Sequence, residues 1–157
     1  MLKKYLFIFF LSMVPIIELR GAIPFAVNWE LNYWTSLTVC AIGNMLPVPI
    51  IYLFARKVLH WGADKKYIGK FFRFCIEKGE RGGQKLTARA GRGGLFVALM
   101  LFVGIPVPGT GAWTGTLAAS FLNMGIRSTA ASVSLGVIIA GIIMGVASTG
   151  VFSIIGI

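Results

Sequence analysis

The sequence predicts an all-α integral membrane protein, built as an inverted repeat of two re-entrant helical hairpins and two spanning helices. Two observations lead to this fold class. Hydrophobic residues make up 57% of the 157-residue chain, and its mean hydropathy is +0.83. Proline-containing breaks also interrupt two apolar stretches, at 15–21 and 106–112. Irregular backbone at membrane depth is tolerated only where protein buries it or where it lines a water-filled cavity.

Runs without a charged residue define the predicted membrane segments, and they are 5–17, 31–55, 93–126 and 128–157. About 20 apolar residues are needed to cross a bilayer as a helix. The runs 31–55 and 128–157 are therefore predicted to span the membrane. We expect 5–17 to be retained rather than cleaved as a signal peptide, because no small-residue cleavage site follows it.

The run 93–126 is predicted to form a re-entrant hairpin. As one helix it would be about 51 Å long, well beyond a hydrocarbon core of about 30 Å, yet it is short for two crossings. Its centre contains Pro106 and several glycines, so a break there is expected. The first half fits the same plan, with an arm at 5–17, a turn at 18–21 and a return arm through Asn28. Each half is then a hairpin followed by a crossing.

A basic segment at 56–92 joins the two halves. It contains eleven Lys or Arg residues against three Asp or Glu residues. Such an excess in a short loop marks the cytoplasmic side of a membrane protein. Apolar residues recur within it at helical spacing, which predicts an amphipathic interfacial helix that either gathers anionic lipid or only anchors the topology. These residues are Ile68, Phe71, Phe72, Cys75 and Ile76. No motif in the segment would contact nucleic-acid bases, so nucleic-acid binding is not expected.

The predicted organisation is a single membrane domain over 1–157. It divides into a first repeat at 1–56, a basic amphipathic cytoplasmic linker at 57–92 and a second repeat at 93–157. One crossing in each half places the two hairpins on opposite faces, which is the inverted-repeat geometry of secondary transporters. The alternative is four ordinary transmembrane helices with a cytoplasmic N-terminus. The two arrangements place the chain termini on opposite sides of the membrane.

Three motifs resemble those of the small multi-drug export protein family. They are E-L-R-G-A-I-P at 18–24, G-N at 43–44 and P-V-P-G-T-G-A-W-T-G at 106–115. The predicted hairpins are also similar in architecture to the DedA superfamily, whose members are implicated in flipping or recycling polyprenyl phosphates and other lipids. In the second hairpin this chain has Val103, Gly104 and glycines at 109 and 111 where DedA proteins carry arginines.

These resemblances imply a membrane transporter in a prokaryotic plasma membrane. The substrate they imply is an amphipathic, phosphate-bearing lipid such as a polyprenyl phosphate. Coupling to H⁺ or Na⁺ is a separate expectation, which rests on Glu18. A small multidrug exporter is the alternative within the transporter class. A non-transporting structural or assembly subunit of a membrane complex is the alternative from another class.

The charged pair Glu18 and Arg20 is the predicted centre of the site. A lone charge at mid-membrane costs about 2.5–3.5 kcal/mol on insertion scales, so each should pair with the other, with a ligand or with water. Arg20 carries a planar fork of donors that suits a phosphate or carboxylate. Glu18 suits ion coupling, because burial and a nearby guanidinium shift a carboxyl pKa in opposite directions. An internal ion pair that only holds the hairpin is the structural alternative.

The second hairpin is predicted to complete the substrate site. Backbone N–H groups of Gly109, Thr110 and Gly111 would begin a half-helix, where the dipole favours an anion. Thr110 is the predicted N-cap of that helix. Trp113 and Thr114 are predicted to contact the substrate or to pack.

Asn44 is a polar residue inside a predicted span, so it should find a hydrogen-bond partner, either near the hairpin tips or as contact between helices. No catalytic constellation is present, because the single His60 lies near the membrane boundary and no nucleophile has a base at recognisable spacing. We therefore expect no enzyme activity. Cys40 and Cys75 lack metal spacing, and neither a metal nor another cofactor is expected. A homodimer is one arrangement that would shield a polar pathway in so short a chain.

Overall fold

The computed structural model describes residues 1–15, 17–65, 67–107 and 110–155, with side chains for all of these except Leu86 and 151–155. These residues form seven helices and no strand, so the all-α prediction is confirmed. In chain order the helices are α1 Leu2–Met13, α2 Glu18–Asn28, α3 Tyr33–Met45, α4 Pro47–Ala63, α5 Gly69–Gly104, α6 Ala112–Phe121 and α7 Ile126–Ile155.

Two helical stretches are long and apolar enough to cross a membrane. One runs through α3 and α4 as Tyr33–Ala63, with 31 residues, and the other is Ile126–Gly150 of α7, with 25 residues. Pro47 begins α4 without interrupting the first stretch, because Leu46 keeps helical dihedrals (φ −62°, ψ −41°) and the first helical position needs no N–H donor. Membrane-capable helices are therefore confirmed at both predicted spans.

The first hairpin consists of two helices that are each too short to cross a bilayer. The 12 residues of α1 and the 11 of α2 extend over about 18 and 16 Å at 1.5 Å per residue. α1 stops before Pro15, and Val14 takes extended dihedrals (φ −71°, ψ 128°), as the residue before a proline prefers. The predicted turn at 18–21 is wrong. α1 ends at Met13, before the predicted turn, and Glu18 begins α2, where the helix dipole favours a carboxylate.

The second hairpin repeats the order of helix, break and helix. The arm Thr87–Gly104 of α5 ends at Gly104, and the next helix is α6, which begins at Ala112 and whose 10 residues cover about 15 Å. Ile105 before Pro106 is again extended (φ −79°, ψ 119°). A helix–break–helix unit within 93–126 is thus confirmed among the described residues. The face of the membrane on which it opens stays a prediction.

α5 contains a sharp bend between its basic arm and the arm that leads into the second hairpin. The axes of Gly69–Lys85 and Thr87–Gly104 differ by 93°, so α5 would be a third span only if both arms were counted together. Gly91 has φ 70° and ψ 175°, a conformation open to glycine alone. On the basic arm Phe72 is half-buried against the protein, whereas Phe71 is 66% exposed. The predicted apolar face therefore divides between the protein and its surroundings.

The central helix of the fold is α7, which contacts α2, α3, α4, α5 and α6. Close packing there depends on glycine, since a Cβ at Gly136 would lie 2.7 Å from the Met100 carbonyl oxygen of α5. Gly43 of α3 permits a similar approach of α1, where a Cβ would lie 2.6 Å from the Phe9 carbonyl oxygen. α5 is thereby packed closely on α7 and α1 on α3, while α2 joins the first hairpin to α7.

The dihedrals of Gly91 predict the effect of replacing it with alanine. We expect Gly91→Ala to destabilise the protein by about 1–3 kcal/mol, because a Cβ is strained at this φ and ψ. Gly93→Ala is the matched control, since neither glycine has a neighbour within 4 Å of an added Cβ and only Gly91 has positive φ. The control should be neutral or stabilising by up to about 1 kcal/mol. Thermal unfolding in detergent measures both, and equal stability of the two variants would contradict the positive φ of Gly91.

Candidate functional site

Glu18 caps the N-terminus of α6, a helix of the other hairpin. The residue is 5% exposed. Its Oε2 accepts from the Ala112 N–H at 3.2 Å and its Oε1 from the Trp113 N–H at 3.1 Å. Gly111 occupies the N-cap position of α6 and provides no side-chain cap, so the carboxylate supplies both acceptors and the negative charge that the helix dipole favours.

Arg20 binds the C-terminal end of a helix, whereas Glu18 binds an N-terminal end. Its Nη2 donates to the carbonyl oxygens of Val103 and Ile105, both at 3.2 Å, and to the Thr110 hydroxyl at 2.9 Å. Its Nη1 donates to the Val107 carbonyl oxygen. Val103 lies in the last turn of α5 and Ile105 and Val107 lie in the break, where carbonyl groups have lost their helical partners. The guanidinium therefore satisfies the C-terminal end of α5.

Thr110 joins this cluster but does not cap α6. Its Oγ1 lies 2.9 Å from the Ile105 carbonyl oxygen and 2.8 Å from that of Val107, and it accepts from Arg20. The single hydroxyl proton can be donated to one of these two carbonyls at a time. The predicted N-cap role of Thr110 is wrong, because Gly111 occupies that position and the carboxylate of Glu18 performs the capping.

Trp113 satisfies the end of α1. Its indole Nε1 donates to the carbonyl oxygen of Met13 at 3.2 Å, and Met13 is the last residue of that helix. The second hairpin thus caps the first through Trp113, while the first caps the second through Glu18 and Arg20. We call this group of residues, Glu18, Arg20, Thr110 and Trp113, the tip clasp.

Glu18 and Arg20 do not form an ion pair with each other. Within the part of the chain that the structure describes, the only ion pair within 4.0 Å joins Arg81 to Glu77 at 3.9 Å on the basic arm. Side chains two positions apart on a helix point in different directions, so each charge reaches a different helix end. The internal ion pair considered from the sequence is therefore replaced by two separate charge–helix contacts.

Two other predicted site residues, Asn44 and Thr114, do not belong to the tip clasp. Asn44 is buried, and its Oδ1 has no protein partner among the described residues. Its neighbour Gly43 packs against Phe9 of α1, near the clasp end of that helix. Thr114 is exposed and makes only a long contact of 3.4 Å with the Gly111 carbonyl oxygen. Gly109 lies outside the described residues.

Comparison with protein families now bears on this site. A model of the family described as "Putative small multi-drug export protein" matches residues 18–143. This is more than half of the chain. The protein belongs to this family. No curated protein and no solved structure matches the chain.

The matched region of the small multi-drug export family begins at Glu18 itself. It contains Arg20, both helices of the second hairpin and most of α7, so only α1 and the chain ends lie outside it. Family membership and the apolar helices together describe a small multi-drug export-like integral membrane protein. The architectural resemblance to the DedA superfamily stays a prediction.

Sequence reasoning missed the acceptor and donor groups that the clasp uses in this small multi-drug export protein. The N–H groups of Ala112 and Trp113 and the carbonyl of Met13 belong to the backbone, so they leave no residue-type pattern. One indication was available, because α6 has no acidic residue in its first turn. A helix start without its own cap in an apolar chain requires an acceptor from elsewhere.

The contact between Gly111 and Glu18 predicts a strong effect of a single methyl group. A Cβ at Gly111 would lie 2.7 Å from Cδ and 2.8 Å from Oε1 of Glu18, so Gly111→Ala must displace the carboxylate. We expect a loss of about 1–3 kcal/mol, because buried N–H groups of α6 would lose their acceptor. Thermal unfolding in detergent is the measurement. Gly150→Ala, where an added Cβ meets nothing within 4 Å, is the control and should be neutral or stabilising by up to about 1 kcal/mol, because Gly150 lies in α7. Unchanged stability of Gly111→Ala would contradict the capping contact.

Proposed function

We propose that this protein exports amphipathic molecules across the membrane and that an ion binding at Glu18 drives the transport. The observation that carries the proposal is the buried carboxylate of Glu18 on the N-terminus of α6. An ionisable group inside a membrane domain is a functional candidate by default, because its burial is expensive. Here its charge holds one hairpin to the other.

Protonation of Glu18 would weaken the hold of α2 on α6. A protonated carboxyl carries a hydrogen on one oxygen, so Ala112 and Trp113 would compete for the remaining acceptor. The attraction between the carboxylate and the helix dipole would also be lost. Protonation of Glu18 would therefore favour the open clasp over the closed one, and such a preference for one conformation is what a coupling ion needs. Na⁺ would act at the same two oxygens.

In this proposal the clasp opens at the junction of the two halves of the chain. We take the hairpins to be re-entrant and opposed, with the segment 56–92 on the cytoplasmic side and the long helices Tyr33–Ala63 and Ile126–Gly150 crossing the membrane. Each hairpin helix other than α5 covers less than about 20 Å, which suits arms that meet inside the bilayer.

The substrate class follows from the family description and from the clasp. Multidrug export agrees with the printed family description. A phosphate-bearing lipid such as a polyprenyl phosphate is the narrower proposal, with Arg20 and the amides at the start of α6 as headgroup donors. Those donors contact α5 and Glu18 in this conformation, so they would meet a headgroup only after the clasp opens.

A structural or assembly role is the second candidate, and one observation favours it. The polar groups of the clasp are satisfied by one another, which is what a purely holding function requires. In that case the clasp would fix the two halves and no substrate would pass. Transport measurements on the purified protein separate the two candidates.

The topology is tested with single cysteines at Lys3, Lys85 and Ser153 in a background that lacks Cys40 and Cys75. A membrane-impermeant thiol reagent is applied to intact cells. Opposed re-entrant hairpins predict labelling at Lys3 and Ser153 and protection at Lys85, because each half then contains one crossing. Protection at all three positions before lysis, with labelling after it, would instead indicate four ordinary spans.

Ion coupling is tested in proteoliposomes with Glu18→Gln and with Glu30→Gln as the matched control, since Glu30 is exposed. Release of an amphipathic dye and of a phosphate-bearing amphiphile is followed with and without a pH gradient. We expect the wild type and the control to respond to the gradient. Glu18→Gln should lose the response to the pH gradient, because a glutamine amide does not take up a proton as a carboxylate does.

Two results would contradict these expectations. A folded Glu18→Gln protein with an unchanged response would remove Glu18 from the coupling step. A wild-type protein that transports neither probe, whichever way it is oriented in the liposome membrane, would favour the structural role.

A further inference from the structure

A second polar feature lies away from the clasp, between the bend of α5 and the connection from α6 to α7. It is a cavity of about 800 Å³. One wall comes from both sides of the bend, including Thr87 and Arg92, and the other comes from Asn123, Arg127 and Ser128. No residue of the tip clasp lines it. The cavity is therefore a separate site.

The charges around this cavity favour an anion. Arg92 and Arg127 face it from two different elements, and Glu80 is the only acidic residue that lines it. The N-terminal turn of α7 also borders the cavity and contains no acidic residue. A cation at a helix N-terminus opposes the helix dipole, so Arg127 at the second position of α7 is unfavourable unless an anion binds beside it.

The cavity is also lined by apolar side chains, and a smaller cavity beside it is lined by a hydroxyl that has no partner in the described part of the chain. Leu95, Leu122 and Met124 line one part of it. A volume of about 800 Å³ lies in the range of sites that enclose drug-sized ligands. A smaller cavity shares the lining residues Glu80 and Asn123, and it is also lined by Ser120. The Oγ of this buried serine has no partner among the described residues.

We propose that this cavity binds an anionic amphiphile, with a phosphate or carboxylate headgroup between Arg92 and Arg127 and its apolar chain along Leu95, Leu122 and Met124. Arginine suits such headgroups because its planar fork can donate two parallel hydrogen bonds to them. The binding site itself is independent of transport. Its role as the loading site for export rests on the proposed function above.

The proposal is tested by titration of the purified full-length protein in a neutral detergent. The probes are dodecyl phosphate, dodecyl trimethylammonium and inorganic phosphate. The variants are Arg92→Gln, Arg127→Gln and the double variant, with Arg89→Gln as the matched control, because Arg89 is an exposed arginine of the same helix that does not line the cavity.

We expect dodecyl phosphate to bind, and each cavity arginine to contribute about tenfold to its affinity, as charge-assisted hydrogen bonds do. The control should bind like the wild type. Thermal unfolding should be unchanged in all variants, since both cavity arginines are exposed. Wild-type affinity in the double variant, or equal binding of the cationic probe, would overturn the anion site. Inorganic phosphate binding as tightly as dodecyl phosphate would overturn the amphiphile and leave a site for a free anion.

A transport arm separates this proposal from the proposed function. Proteoliposomes containing the wild type and the double arginine variant are tested with the same phosphate amphiphile. Slower transport in the double variant supports the cavity as the loading site. Arginine-dependent binding without any transport in the wild type would overturn the export function while the binding site stands. Equal transport by both proteins would overturn the loading role.

Discussion

The ends of broken helices inside an apolar protein must find hydrogen-bond partners, and the arrangement of the two halves follows from this constraint. A helix leaves four N–H and four C=O groups without helical partners at its ends, and each unsatisfied group in lipid costs several kcal/mol. In this chain Glu18 and Arg20 satisfy ends of α6 and α5, and Trp113 satisfies the end of α1. Each half therefore completes the backbone of the other, and separating the hairpins exposes groups on both sides.

The buried Glu18 and the half-buried Arg20 bind different helix ends, and this separation has a consequence for protonation. A direct ion pair would neutralise both at once, so adding a proton to Glu18 would also leave Arg20 without its partner. In the clasp the carboxylate accepts hydrogen bonds from α6, whereas the guanidinium donates to the end of α5, to the residues that follow it and to Thr110. In the proposed mechanism, protonation of Glu18 would release its contact with α6 while the hydrogen bonds of Arg20 remain.

The sequence predicted the positions of the breaks better than the contacts between them. Proline and glycine act locally on the backbone, so the end of α5 at Gly104 and the two long helices followed from residue type and run length. The first break was placed a few residues too late, because charge at 18–21 was taken as a sign of a turn although it stabilises a helix start. The clasp joins residues up to 100 positions apart through backbone atoms, and the cavity depends on how α5 bends. Neither leaves a local pattern.

The bend at Gly91 connects the basic arm to the proposed anion site. Arg92 follows the glycine directly, so the direction in which it leaves the bend is set by the dihedrals of Gly91. A straight α5 would carry Thr87 and Arg92 on one continuous helix, whereas the 93° turn lets both sides of the bend face the start of α7. The basic arm still packs against the second hairpin, because a Cβ at Gly79 would clash with the Phe121 carbonyl oxygen at the end of α6. The dihedrals of a residue without a side chain thus shape the cavity that Arg92 and Arg127 line, which is why composition alone indicates the charge of this region but not its geometry.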